Sequence, residues 1–221
     1  VFGPEFLIPN PFDPRLILRV APAVARAAMD SGVATRPIED FDAYNERLNR
    51  FVFRSGFIMK PMFAAAKAEL KRVVYADGED ERALRAAQVS IEEQLAQPIL
   101  IGRPQVVEAR IKRFGLSIKP GRDFELINPE DDPRYRDYVD TFLEKTCRGG
   151  ITPDAARTIV RTSSTVIAAV ALARGDGDAM LCGLEGRFDR HLLTIRDVVG
   201  TAPGVRDFSA MSLLLNSKGA Y

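Results

Sequence analysis

From residue 69 onward, short apolar runs alternate with longer amphipathic stretches. Five apolar runs predict strands, at 72–76, 98–102, 124–128, 178–183 and 208–215. Five amphipathic stretches predict helices, at 79–96, 104–114, 133–147, 152–173 (with breaks) and 188–199. Strands that alternate with helices of this length join through right-handed crossovers into parallel sheets. The pattern therefore predicts an α/β fold with three layers, α/β/α, around a mostly parallel sheet.

The first 68 residues have a different pattern, which predicts helices and no sheet. Prolines fix their own φ, so the four prolines before residue 15 predict an extended lead-in. Residues 15–34 predict a helix with a face of small residues, for which Gly32 is the expected C-terminal cap. Residues 38–68 predict an amphipathic helical linker with breaks near Gly56 and at Pro61. These patterns divide the chain into regions 1–37, 38–68 and 69–221.

Composition and charge narrow the class of protein. Of the 221 residues, 46% are hydrophobic and 28% are charged, which is ordinary for a soluble globular protein. The net charge of +1 favours neither nucleic acid nor an anionic membrane as a partner. The longest apolar stretch, 166–173, is too short to span a bilayer. Two cysteines are too few for a disulfide framework, so we expect a cytoplasmic protein.

Both ends of the sequence indicate a piece of a longer protein. The chain opens on Val-Phe-Gly-Pro without an initiator Met. It closes on SAMSLLLNSKGAY, which predicts a strand, a turn and the start of a hairpin's return strand. We therefore expect a fragment.

Four acids lie close together in YADGEDER and raise the question of a metal site. Residues 79–81 would fan out around a helix turn, so their carboxylates would not converge on one ion. Acids near a helix N-terminus complement its positive end, and Asp77 or Gly78 is then expected near the cap. The structural interpretation is therefore favoured, and no metal site is predicted.

Other reactive residue types lack the partners that catalysis needs. His191 is the only histidine, which excludes a Ser-His-Asp triad and a two-histidine metal site, and we expect it on the surface of helix 188–199. The Ser-Ser-Thr at 163–165 predicts helix capping or a place at the core edge. We expect Cys182 to be a buried small hydrophobe and Cys147 to be more exposed.

The segment GLEGR, residues 183–187, is the strongest candidate for a binding site. It lies where a predicted strand ends and a helix begins, and such junctions at the carboxyl edge of a parallel sheet bind ligands. The candidate site residues beside it are Arg187, Asp189 and Arg190. From charge alone, they are equally well explained as solvated surface residues.

Five separated blocks, in this order, resemble the N-terminal half of the phosphotransacetylases (phosphate acetyl/butyryltransferases): RVVYADGEDER, PILIGRPQVVEARI, GITPDAA, GDGDAMLCG and VVGTAPGV. That family begins with a strand followed by E-G-x-D-x-R, and Asp77, Gly78, Asp80 and Arg82 fill those positions. The resemblance covers about residues 69–221 and implies the three-layer α/β/α fold of that family.

Departures from the family's pattern bear on catalysis. Active relatives carry G-A-x-x-[ST]-T-A-D-x-x-R where this chain has GLEGRFDRHLL. Arg187 and Phe188 replace the two hydroxyl residues, and Leu193 replaces the arginine. Thr146 also stands where the family has an arginine. Because these groups help to hold an acyl phosphate, the resemblance implies that this region has no catalytic residues. Arg187, Asp189 and Arg190 remain as a candidate effector or coenzyme A region.

The first 37 residues resemble the last strand-to-helix segment of bacterial malic enzymes. The two families occur joined in large NADP-dependent malic enzymes, which convert malate to pyruvate and carbon dioxide. The resemblance implies NADP and a divalent metal (Mg or Mn) as cofactors, bound by residues preceding Val1 and not by this fragment. It also implies acetyl-CoA as an allosteric effector and a homo-oligomer. The alternative is an active phosphate acetyltransferase in which Arg187 or Arg190 replaces the missing arginine.

Overall fold

A computed structural model describes residues 14–52, 56–210, 212, 215–216 and 219–220. The chain divides into two compact units. One unit combines Val1–Ala64 with Ala210–Tyr221, and the other is Ala65–Ser209. The predicted regional boundaries at residues 37 and 68 stay predictions.

Before residue 69, the described residues form the helices α1 (Pro14–Asp30), α2 (Phe41–Val52) and α3 (Gly56–Ala68), so the predicted helical character is confirmed there. Gly32 follows α1 with a φ of +73°, and its N–H bonds the Met29 carbonyl, so the predicted cap is confirmed. The predicted break at Pro61 is wrong, because α3 continues through it. A proline removes one helical hydrogen bond, but the helix can continue on either side of it.

The unit Ala65–Ser209 is built on a sheet of four strands: β1 (Lys71–Tyr75), β2 (Ala96–Ile101), β3 (Glu125–Ile127) and β4 (Ala179–Leu181). The strands lie in the order β3-β2-β1-β4, and each described pair is parallel. In this register Val74 lies between Ile99 of β2 and Met180 of β4. The chain adds β2 and β3 on one side of β1 and β4 on the other. The carboxyl ends of β1 and β4 therefore form a topological switch point.

Helices cover both faces of this sheet: α4 (Glu81–Glu92), α5 (Pro104–Arg113), α6 (Tyr135–Thr146), α7 (Pro153–Thr162), α8 (Ser164–Arg174) and α9 (Phe188–Val198). Alternate strand residues point to opposite faces. Val74 and Ile99 belong to a buried cluster with side chains of α6, α7 and α8. Tyr75 and Leu100 belong to a second cluster with side chains of α4 and α5. The predicted three-layer α/β/α fold is confirmed.

The end of the described chain contains a hairpin, as predicted. Strands β5 (Leu215–Asn216) and β6 (Gly219–Ala220) pair antiparallel. The strand predicted over 208–215 is wrong for residues 208–210 and 212, which belong to no strand, and residues 211, 213 and 214 lie outside the described part. One physical reason is local, since the Phe208 N–H donates to Oδ1 of Asp207 at 2.8 Å and is not available to a neighbouring strand.

No single helix in the described ranges is long and apolar enough to cross a membrane. Helices α7 and α8 reach the required length and hydropathy only when taken together, and this pair is bent by 103°.

Candidate functional site

A cavity of about 220 Å³ opens at the carboxyl ends of β1 and β2, next to the switch point. In open α/β sheets this edge is where ligands bind, so the cavity is the candidate site. Its lining combines residues from the ends of β1 and β2 with charged residues such as Asp77, Glu79 and Arg110. The lining residues are Ala76, Asp77, Gly78, Glu79, Asp80, Ile101, Gly102, Arg110, Pro129, Ser164 and Glu185.

A second cavity, of about 400 Å³, lies between α1 and α2 in the other compact unit. It is lined by Leu18, Arg19, Pro22, Ala23, Arg26 and Asn45. Although it is larger, both of its arginines are exposed, and no strand end contributes to it. We therefore place the candidate site at the sheet edge.

The turn after β1 approaches β2 closely through Gly78. A Cβ atom at this position would lie 2.6 Å from the Ile101 carbonyl oxygen, which only glycine avoids. The preceding residue, Asp77, faces β4, and its Oδ2 accepts hydrogen bonds from the Gly183 and Leu184 N–H groups, each at 3.1 Å. Asp77 and Gly78 therefore connect the end of β1 to the ends of β2 and β4.

The predicted cap of α4 is wrong, because the helix begins later than Asp77 or Gly78. Asp80 is the N-cap, and its Oδ1 accepts from the Arg82 N–H at 2.8 Å. The Arg82 guanidinium also donates to both oxygens of Asp80 and holds the pKa of this carboxyl below its usual value. Sequence spacing could not show that Asp77 instead accepts hydrogen bonds from the loop after β4.

Glu79 is held by arginines and is not a free ligand. It accepts from the backbone N–H and the guanidinium of Arg103, each at 2.9 Å. These hydrogen bonds lower the pKa of Glu79. Its carbonyl oxygen accepts from Arg110. Within the part of the chain that the structure describes, no group of three or more His, Cys, Asp or Glu residues could hold a metal ion.

The segment GLEGR connects β4, which ends at Leu181, to α9, which begins at Phe188, as predicted. Its fourth residue, Gly186, has a φ of +93°, and a Cβ atom there would lie 3.0 Å from Nε2 of His191. A side chain at this position would therefore be strained by its backbone and crowded by the imidazole.

The expected surface position of His191 is wrong. Its ring is half-buried and makes hydrogen bonds with both nitrogens. Nε2 lies 2.7 Å from the Glu185 carbonyl oxygen, and Nδ1 lies 2.9 Å from Oγ1 of the buried Thr165. Because a carbonyl oxygen only accepts, Nε2 carries a proton. No sequence pattern indicates this contact, since Thr165 and His191 are 26 residues apart.

The three candidate site residues lie at the start of α9, and none of them is among the described lining residues of the cavity. Arg187 and Asp189 form an ion pair through two hydrogen bonds, at 3.0 and 2.9 Å. Both side chains are exposed, and so is Arg190. The loop they flank contributes Glu185 to the cavity instead. Their assignment as an effector region stays a prediction.

Sequence reasoning missed Arg110 and Pro129, and it assigned Ser164 only to helix capping or the core edge, although all three line the cavity. Glu185, which also lines the cavity, lies within the predicted segment GLEGR. A signal existed for Pro129, because it follows β3 and strand ends collect at this edge. Arg110 and Ser164 lie on α5 and α8, so only the packing of those helices brings them here.

Most of the remaining candidates have structural positions, as predicted. Ser163 is the N-cap of α8, with Oγ accepting from the Val166 N–H, and Thr165 lies in the core. Cys182 differs from its prediction as a buried strand residue, because it follows the end of β4 and is only half-buried beside the core. Burial raises the pKa of its thiol. Cys147 is exposed.

Comparison with known proteins agrees with this architecture. The family profile described as "Phosphate acetyl/butaryl transferase" matches residues 57–221. The chain belongs to this family. The fold resembles the solved structure of the EutD phosphotransacetylase from Staphylococcus aureus, with a TM-score of 0.64 and 23% identity. That match covers 74% of this chain and 49% of the solved one.

The curated relatives include malic enzymes that match along the chain. The NAD-dependent malic enzyme of Rhizobium meliloti (strain 1021) is 64% identical over all 221 residues. The NADP-dependent malic enzyme of Escherichia coli (strain K12) is 48% identical over 99% of this chain. The chain spans 29% of the length of each of these relatives. The similarity to both families is therefore confirmed, while the assignment of residues 1–37 to the last segment of the malic portion and the predicted choice of NADP stay predictions.

Proposed function

We propose that the chain is part of a malic enzyme, which oxidatively decarboxylates malate to pyruvate and carbon dioxide and reduces a nicotinamide dinucleotide. The observation that carries this proposal is the 64% identity to a malic enzyme over all 221 residues. The relatives are named for NAD in one case and NADP in another, so both must be tested. A divalent metal, Mg or Mn, belongs to the proposal for the whole enzyme.

Within that enzyme, we infer that the phosphotransacetylase-like region is a regulatory module without catalytic residues. The loop from β4 to α9 supports this, because Arg187 and Phe188 stand where active relatives have hydroxyl residues. Phe188 is 77% exposed and cannot donate a hydrogen bond to an acyl phosphate. The effector is acetyl-CoA, and the module also supports a homo-oligomer.

Acetyl-CoA can regulate the enzyme only if it binds one state of the assembly more tightly than another. The start of α9 offers exposed cationic side chains, Arg187 and Arg190, to the phosphates of coenzyme A. The bond between Arg187 and Asp189 is not an obstacle, because an exposed ion pair is worth less than about 1 kcal/mol. A ligand phosphate can therefore replace the Asp189 carboxylate.

The alternative function is an active phosphate acetyltransferase, which the family match favours. It requires Arg187 or Arg190 to take over from the arginine that Leu193 replaces. A guanidinium moved along the helix loses the bidentate geometry that phosphate recognition needs, so this alternative is the weaker one.

The decisive experiment uses the full-length enzyme. Malate oxidation is measured with NAD and with NADP, with Mg or Mn, over a range of acetyl-CoA concentrations. We expect malate oxidation that acetyl-CoA inhibits, and no formation of acetyl-CoA from acetyl phosphate and coenzyme A. Detectable acetyl transfer would overturn the non-catalytic module in favour of the alternative.

A double variant tests the candidate effector residues. Arg187→Ala with Arg190→Ala should raise the acetyl-CoA concentration for half-inhibition, while Arg196→Ala is the control. Arg196 is also an exposed arginine of α9, paired with the adjacent Asp197. Equal inhibition of the double variant and the control would remove Arg187 and Arg190 from the effector site.

A further inference from the structure

Side chains from outside the loop 183–187 hold several of its backbone polar groups. The Asp77 carboxylate receives the N–H groups of Gly183 and Leu184. Arg82, which Asp80 orients, donates from Nη2 to the Leu184 carbonyl oxygen at 3.3 Å. The D-G-x-D-x-R segment after β1 therefore contacts both the N–H and the C=O groups of the loop after β4.

The other end of the loop is held from α9. His191 donates from Nε2 to the Glu185 carbonyl oxygen, and Thr165 of α8 fixes its other ring nitrogen. The imidazole packs where a side chain on Gly186 would lie. Three side chains thus converge on one exposed loop next to the switch point of the sheet: Asp77 from the turn after β1, Arg82 from α4 and His191 from α9.

We propose that Asp77, Arg82 and His191, together called the clasp, are positioning residues that fix the shape of loop 183–187. The proposal rests on the regulatory function proposed above. In it, the enzyme responds to acetyl-CoA only when loop 183–187 has the shape that the clasp holds. The physical basis is preorganisation, because a loop that is already ordered does not have to be ordered when the ligand binds. Hydrogen bonds to charged groups, such as those of Asp77 and Arg82, are stronger than neutral ones.

Glu81 supplies a matched control, because it belongs to the same acidic segment but has a different partner. Its carboxylate pairs with Arg85 along the exposed face of α4, at 2.8 Å. If the acids of this segment act only as surface charge near a helix end, Asp77 and Glu81 should respond alike. If Asp77 is a positioning residue, only its replacement should affect the loop.

The test uses the full-length enzyme with Asp77→Ala, Asp77→Asn and Glu81→Ala. Hydrogen–deuterium exchange is followed in peptides that contain residues 183–187. We expect faster exchange in Asp77→Ala, a smaller increase in Asp77→Asn because the amide oxygen still accepts, and none in Glu81→Ala. Exchange that is unchanged in both Asp77 variants would overturn the clasp. If Asp77→Ala does not fold, Asp77→Asn decides the question.

The second measurement is the acetyl-CoA concentration that half-inhibits malate oxidation. Loss of two hydrogen bonds to a charged acceptor should raise it about tenfold in Asp77→Ala. Faster loop exchange with unchanged inhibition would overturn the positioning role. If the wild-type enzyme does not respond to acetyl-CoA, the proposed regulatory function is wrong, and so is the role of the clasp in it. The exchange data would still decide whether the clasp holds the loop.

Discussion

At Gly78 the turn after β1 has no room for a side chain. An alanine Cβ would lie 2.6 Å from the Ile101 carbonyl oxygen and 2.8 Å from its nitrogen, and both atoms belong to the neighbouring strand. Gly78→Ala should therefore lower the free energy of unfolding by about 1–3 kcal/mol, as other overpacking changes do. Urea-induced unfolding followed by circular dichroism measures this.

Gly149→Ala is the control for Gly78→Ala, since nothing lies within 4 Å of a Cβ atom at Gly149. We expect its midpoint to stay within the error of the wild type. Equal midpoints for the two variants would mean that the turn after β1 can shift away from β2.

Tyr138 is a second residue whose chemistry is unusual. It is 1% exposed, and within the described residues its hydroxyl has no hydrogen-bond partner. Burial and the nearby negative charge of Asp176 raise the pKa of this phenol. Tyr138→Phe removes an unsatisfied polar group from the core, so stability should stay equal or rise by less than about 1 kcal/mol.

Tyr75→Phe is the matched comparison, because the Tyr75 hydroxyl lies 3.1 Å from Oγ of Ser90. Loss of this hydrogen bond should lower the free energy of unfolding by about 1 kcal/mol. Both variants are compared with the wild type by urea-induced unfolding. A larger loss in Tyr138→Phe than in Tyr75→Phe would show that the Tyr138 hydroxyl is satisfied in solution.

At the scale of elements, the sequence predicts the type of element well and its partners poorly. Short apolar runs predict the four parallel strands, and in the two central strands, β1 and β2, consecutive residues at the carboxyl end are buried. The same pattern failed at 208–215, where an equally apolar run contains described residues outside any strand. Strand formation there depends on a neighbouring strand, which the apolar pattern cannot supply.

An ion pair between Arg72 and Asp178 joins the start of β1 to the turn before β4, and its stability depends on pH. Asp178 accepts from the backbone N–H and the guanidinium of Arg72, each at 2.8–2.9 Å at the closest atoms. Arg72 lowers the pKa of Asp178 from 3.8 to about 2. Because the folded pKa is depressed, the stabilisation is complete above pH 4 and is lost as the pH falls from about 4 to about 2.

We therefore expect Asp178→Asn to differ most from the wild type above pH 4 and progressively less below it. The urea midpoints of both proteins, measured from pH 6 to pH 2, test this. Asp197→Asn is the control, since Asp197 pairs with the adjacent Arg196 on the exposed surface of α9. A difference between Asp178→Asn and wild type that is constant with pH would rule out the titration of Asp178 as its cause.

At the scale of the molecule, the candidate site is built from segments that are distant in sequence. The turn after β1 and the loop after β4 are separated by more than a hundred residues, yet Asp77 bonds to Gly183. The sequence predicted each strand end and the candidate segment GLEGR separately. It could not predict that the D-G-x-D-x-R segment holds that loop, because the contact depends on β4 lying beside β1.

The position of the hydrophobic core indicates which part of the chain can fold alone. All residues of the two buried clusters lie between residues 73 and 198, within the compact unit Ala65–Ser209. A shorter chain of residues 65–209 should therefore keep its helical circular dichroism and unfold in one cooperative transition. Residues 77–209 are the control, because they lack β1, which pairs with strands on both sides. If residues 65–209 do not unfold cooperatively while the 221-residue chain does, the core needs residues outside this unit, and the predicted boundary at residue 69 loses its physical basis.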